Sequence, residues 1–281
     1  MTSPSRLPGT ATWFARVLAA FVRRELAEVS GYRAAFVTRL SGFVFQVVAL
    51  VFFARFVGAA ANPHMAAYGG NYFGFLAIGF LATELQQVGV SGLARRVRTA
   101  QIMGTLEAEL ATPAPAWLVL AAAPVYEFGT AALRSAAYLW GATLLVGLQL
   151  PRTNVLTVVV GVPLVLAAFI GLGLFTAGST MLVRRSNPVS AILGSLSFFL
   201  SGVVYPVSVL PAWLRAVGHV LPLTHVLVVL RAAFLQDAPP SAIGGSLAAL
   251  AIFAVVLIPA GAATFAYALR RARVDGSLTH Y

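Results

Sequence analysis

The sequence contains no cysteine and no lysine. Without cysteine there is no disulfide, no thiolate nucleophile and no cysteine-based metal site, and the redox compartment stays open. Without lysine there is no G-x-x-x-x-G-K-[ST] loop, because that loop sets its lysine on the phosphates. The chain therefore has no Walker-type ATP site of its own. Charge is scarce too: 10% of residues are charged, against about 25% in a soluble domain. No H-E-x-x-H or G-x-S-x-G occurs, and His64, His219, His225 and His280 are too dispersed for local metal ligation. A soluble-style enzyme site has nothing to stand on. An intramembrane site assembled from distant residues stays open.

Apolar residues dominate instead. They make up 59% of the 281 residues, and the mean hydropathy is +0.88. That is the composition of an integral membrane protein. Six apolar runs, at about 37–57, 72–92, 118–147, 155–182, 188–209 and 242–268, are long enough to span, which takes roughly 20 residues. The stretch 203–235 is apolar as well, but Pro206, Pro211 and Pro222 interrupt it. Proline removes a donor and disrupts the preceding turn. Short helices at the membrane surface, or dipping into it, are expected over 203–241. The expected fold is an all-α integral membrane protein with six transmembrane helices, one domain over 1–281. No soluble domain, low-complexity linker or internal repeat is evident.

The opening stretch "WFARVLAAFVRRELAEV" places Trp13, Phe14, Val17, Leu18, Phe21 and Val22 on one helical stripe, with Arg16, Arg23 and Arg24 off it. A helix lying in the membrane interface is expected within residues 1–33. The rival is a cleaved leader, but no clean small-residue cleavage site follows the apolar core. All 19 basic residues are arginine, and the net charge is +11. They flank the apolar runs rather than forming one basic face, so juxtamembrane charge explains them and nucleic acid does not. With both ends cytoplasmic, 14 arginines fall on the inner side and four (Arg55, Arg152, Arg215 and Arg231) on the outer side, with Arg134 intramembrane. That bias fits an even number of spans. It makes 93–116 a cytoplasmic loop.

Polar groups inside a bilayer are costly and face other helices or a water-filled path. Glu84, Gln86 and Gln87 fall in the second run, and Glu127 and Arg134 in the third. Glu84 and Glu127 lie at similar depths, about 15 Å from the inner ends. Pairing of Arg134 with either glutamate, or a polar lining of a path, are both open. Gly161, Gly171, Gly173 and Gly178 in the fourth run permit close packing or a hinge. Hydroxyls of Ser195, Ser197 and Ser201 are expected to bond backbone carbonyls. The stretch carrying Pro206, Pro211, Trp213 and Pro222 either caps an outer mouth or anchors at the surface.

Between the second and third runs lies "GTLEAELATPAP", a short charged segment that two prolines end. Together with the interfacial start, six spans, "SGVVYPVSVLPAWLRAVGHVLPLTHVLVVLRAAFLQ" and the terminal "RRARVDGSLTHY", it resembles the permease subunit of type-2 (ABC-2 type) ABC transporters. The resemblance covers about Phe21 to Tyr281. It implies two permease chains, as a homodimer or with a related permease, each paired with a separate ATPase subunit that holds ATP and Mg. No cofactor is then expected on this chain. It also implies a coupling helix at about Ala100–Thr112 docked on that ATPase. There Gln101, Glu107 and Glu109 would meet charged partner groups, and Ile102, Met103, Leu106 and Leu110 would supply an apolar face. The resemblance further implies the plasma membrane, alternating access, outer helices around Pro206–Leu235 that gate release, and export of an amphipathic drug, lipid, lipid-linked glycan or polyketide. The rival readings are an ion-coupled secondary transporter using Glu84 and Glu127, and an intramembrane enzyme.

Overall fold

The structure, a computed structural model, describes residues 41, 45, 48–57, 68, 71–102, 128–129, 131–132, 140, 153–183 and 188–274. Among these residues all regular structure is helical. In chain order the helices are α1 (Val48–Val57), α2 (Tyr72–Gln87), a π-helical turn (Val88–Gly92) and α3 (Leu93–Ile102). Then come α4 (Val155–Val183), α5 (Pro188–Leu200), α6 (Ala212–His219), α7 (Pro222–Leu235) and α8 (Gly244–Val274).

Local chemistry sets where the helices begin. The Asn71 side chain accepts from the Gly74 N–H at 2.8 Å and caps α2. Asn154 does the same for α4, accepting from the Thr157 N–H at 3.0 Å. The Asn154 N–H donates to Ala233 O at 3.0 Å, and Thr157 Oγ1 donates to Ala238 O at 2.6 Å. The start of α4 is thereby fastened to the end of α7. Pro222 opens α7 at the position where its missing N–H costs nothing. Pro163 and Pro259 lie inside α4 and α8 without ending them, as spanning helices allow.

Helices α4 and α8 approach closely through glycine. A Cβ at Gly171 would lie 2.8 Å from the Ile258 nitrogen, and one at Gly178 2.8 Å from the Phe265 nitrogen. Across from them, a Cβ at Gly261 would lie 2.7 Å from Gly171 O. Gly161 faces the Val229 side chain and Gly173 faces Gly89 O. Of the two readings of these glycines, packing is the one the contacts bear out. The main core gathers Ile78 of α2, Val165 and Phe169 of α4, Leu223, Val226, Leu227 and Leu230 of α7, and Leu250 of α8. A second cluster joins Leu93 and Ala94 of α3 to Ala177, Met181, Phe265 and Ala268.

Three helical stretches among the described residues are long and apolar enough to cross a membrane: Tyr72–Arg95, Val155–Leu182 and Pro240–Arg271. The pair α6 and α7, bent by 85°, makes a fourth if it is one broken span. The three long stretches overlap the second, fourth and sixth expected runs, and the bent pair lies where short surface helices were expected. Of the first run the structure describes Ser41, Phe45 and α1. Most of the third run, 118–147, lies outside the described residues. The fifth run differs from expectation. Its helix has 13 residues and stops at Leu200, short of the roughly 20 that spanning takes. The chain then turns at Gly202, whose φ of 84° suits glycine, and passes to Pro206. The expected surface stretch also divides in two. Helix α7 is buried in the core on most of its faces, whereas α6 buries only Gly218.

Candidate functional site

A groove of about 480 Å³ opens between α2 and α5. One wall is Thr83 and Gln87 of α2 with Ser91 of the π turn; the other is Ser190, Ala191, Gly194, Ser195, Phe198 and Phe199 of α5. Thr83 and Gln87 are four residues apart on α2 and share a face, and the π turn brings Ser91 onto the same wall. Gly194 keeps the walls close: a Cβ there would lie 3.2 Å from Gln87 Nε2. No charged residue lines the groove among the described residues. Its chemistry is hydroxyl and amide hydrogen bonding, with Phe198 and Phe199 set edge to face at 5.4 Å.

The structure places the expected polar residues unequally. Gln87 is exposed in the groove, and Glu84 is half-buried beside it without lining it. Gln86 is buried, and its Oε1 has no partner among the described residues. Glu127 and Arg134 lie outside the described residues, as does any pairing with Glu84. Of the serines expected to bond backbone carbonyls, Ser195 faces the groove, and the buried Ser201 Oγ has no partner among the described residues.

The groove wall continues without a break toward the "GTLEAELATPAP" segment. Helix α2 runs through the π turn into α3, which the structure describes as far as Ile102. Thr176 Oγ1 of α4 donates to Val90 O at 2.6 Å and so holds the wide turn. π turns are frequent at functional sites. Gln101 and Ile102 are helical. Met103, Leu106, Glu107, Glu109 and Leu110 lie outside the described residues.

At the other end, Pro206 precedes a 3-10 turn (Val207–Val209) and Pro211 precedes α6. Trp213 is 69% exposed. The sequence reading missed Arg231. Counted as an outer-segment charge, it is instead buried in α7 at 4% exposure. Its Nη2 donates to Val203 O at 3.1 Å and to Phe75 O at 3.3 Å. The Phe75 ring centroid lies 3.3 Å from its guanidinium carbon. The available signal was a lone charge inside the apolar run "PLTHVLVVLRAAFL". Thr83 and Ser91 were missed too, although their four-residue spacing about Gln87 was readable.

The sequence model of the ABC-2 type transporter family matches residues 16–235, more than half of the chain. Nodulation protein J of Sinorhizobium fredii (strain NBRC 101917 / NGR234) is 45% identical over 58 residues, which is 21% of this chain and 22% of that protein. The alignment therefore spans about a fifth of that relative. The extent of the family match, together with the apolar helices long enough to cross a membrane, places the chain in the ABC-2 type transporter family, as a membrane domain.

Proposed function

We propose that the chain is the permease subunit of an exporter driven by a separate ATPase subunit, and that two permease chains form the pathway. The observation that carries this reading is the continuous helix from the groove wall at Thr83–Ser91 through the π turn to Ile102. A push on the segment after Ile102 reaches the groove through rigid backbone. Coupling is then a free-energy link between the ATPase sites and the groove. Gln101, Ile102, Met103, Leu106, Glu107, Glu109 and Leu110 form the docking face. The partner subunit holds the nucleotide and its metal.

On this reading both termini and the 93–116 loop are cytoplasmic, and the membrane is the plasma membrane. The groove, facing the second copy, forms part of the wall of the cargo path. Its uncharged hydroxyl and amide lining suits an amphipathic cargo. Pro206, Pro211, Trp213 and Pro222 bracket the outer gate.

The test is affinity purification of the tagged chain in mild detergent, with mass identification and an ATPase assay. A stoichiometric ATPase subunit is the expected result. A well-folded chain that purifies without one would transfer the reading to ion-coupled transport, with Glu84 as the first residue to replace.

A further inference from the structure

Arg231 sits where three elements meet at the Tyr72 end of the helices. Its own helix α7 supplies the side chain. Phe75 of α2 contributes a carbonyl and a ring face, and Val203 of the turn after α5 contributes the second carbonyl. Tyr68 adds a second ring, 5.8 Å from the guanidinium carbon. Both Phe75 and Val203 are fully buried. Tyr72 bonds the same turn, donating to Val204 O at 3.1 Å. If this end opens by separating α2 from α5 and α7, these are the contacts that must break.

The compensation of the charge is incomplete. No carboxylate pairs with Arg231 among the described residues. Glu84 is nine residues from Phe75 along α2, about 13 Å away. Asp237 is exposed in the loop after α7. Among the described residues Arg231 Nε is buried without a partner, and so is the nearby turn's Ser201 Oγ. A guanidinium removed from water with no counter-charge keeps a desolvation cost that two carbonyls and a ring face offset only in part. Opening returns water to it. An apolar side chain of similar length has no such cost to relieve.

We propose that Arg231 is a positioning residue that biases this junction toward opening: a buried, uncompensated cation that pins α7 to α2 and Val203 while making the shut state easy to leave. This rests on reading that end as the mouth of the pathway. The purification described above tests the permease reading separately, so the two can fail independently.

The chain has no cysteine, so Ser201→Cys gives a unique reporter at a position 1% exposed. The variant is placed in lipid nanodiscs and its labelling rate by a charged maleimide is measured. Arg231→Met should slow labelling about fivefold or more, the range expected when a buried charge gives way to an apolar side chain. Arg231→Lys, which keeps the charge, should label at least as fast as the parent. Gly245→Cys, on an open surface, should label equally in all three backgrounds and reports that they fold alike. The Tm of Arg231→Met should equal or exceed that of the parent. Faster or unchanged labelling in Arg231→Met, a lower Tm, or no labelling of the parent would each overturn the proposal.

Discussion

Replacing Gly171 or Gly178 with alanine puts a methyl group into the tightest contact between α4 and α8. The new carbon would lie 2.8 Å from backbone atoms of Leu257 and Ile258, or of Phe265, where ordinary contact begins at 3.4 Å. Those neighbours are main chain and cannot swing aside, so the helices must part by roughly half an ångström. Overpacking of this kind costs about 1–3 kcal/mol. Alanine returns about 0.5–1 kcal/mol through its better helix propensity. The net loss is then between about 0 and 2.5 kcal/mol, a fall in Tm of up to roughly 10 °C. Gly245→Ala is the control: nothing lies within 4 Å of its Cβ, so only the propensity gain remains. Gly171 and Gly261 face each other, so the double alanine variant should lose less than the sum of the singles, because one separation admits both methyls. Thermal unfolding in a single detergent measures the parent and all five variants. Tm values for Gly171→Ala and Gly178→Ala that rise with Gly245→Ala would refute the close approach.

Asn154→Ala should cost about 1–2 kcal/mol in the same assay, because it removes the cap of α4, and Asn154→Asp, which keeps the capping oxygen, should cost less. In the groove, Gln87→Leu combined with Ser195→Ala should lower transport at least severalfold while leaving the amount of co-purified ATPase subunit unchanged; loss of both would mean the groove is structural. Trp213, kept as the one tryptophan after Trp13, Trp117 and Trp140 are changed to phenylalanine, should be quenched by lipid-borne nitroxide more strongly than by aqueous iodide. It shares an outward face with Val217 and Val220, all exposed, and Gly218 on the other side packs against Leu200 O.

The long helices were legible because their cause is local. An apolar run with polar ends fixes α4 and α8 to within a few residues of 155–182 and 242–268. Hydropathy does not tell lipid from protein interior, however, and α7 shows the limit. Its sequence is apolar nearly all round, and three prolines upstream suggest a surface position. What buries it is the long-range fit of Gly161 to Val229 and of Arg231 to Phe75 and Val203. The fifth run failed at Leu200 for a related reason: the apolar residues continue, but Gly202 turns the backbone. Gln87 stood out in the sequence because an amide in a span needs a reason. Its partners across the groove belong to α5, about a hundred residues later, and no local pattern joins them.

The proposed permease role requires that the segment after α3 couples this chain to an ATPase. The most direct measurement compares the parent with a variant carrying Leu106→Ala, Glu107→Ala and Glu109→Ala, by co-purification and by ATPase activity of the purified material. The triple variant should keep the parent's Tm and elution volume but lose the ATPase subunit or its cargo-stimulated turnover. Full retention of a stoichiometric, cargo-stimulated ATPase by the triple variant would contradict it.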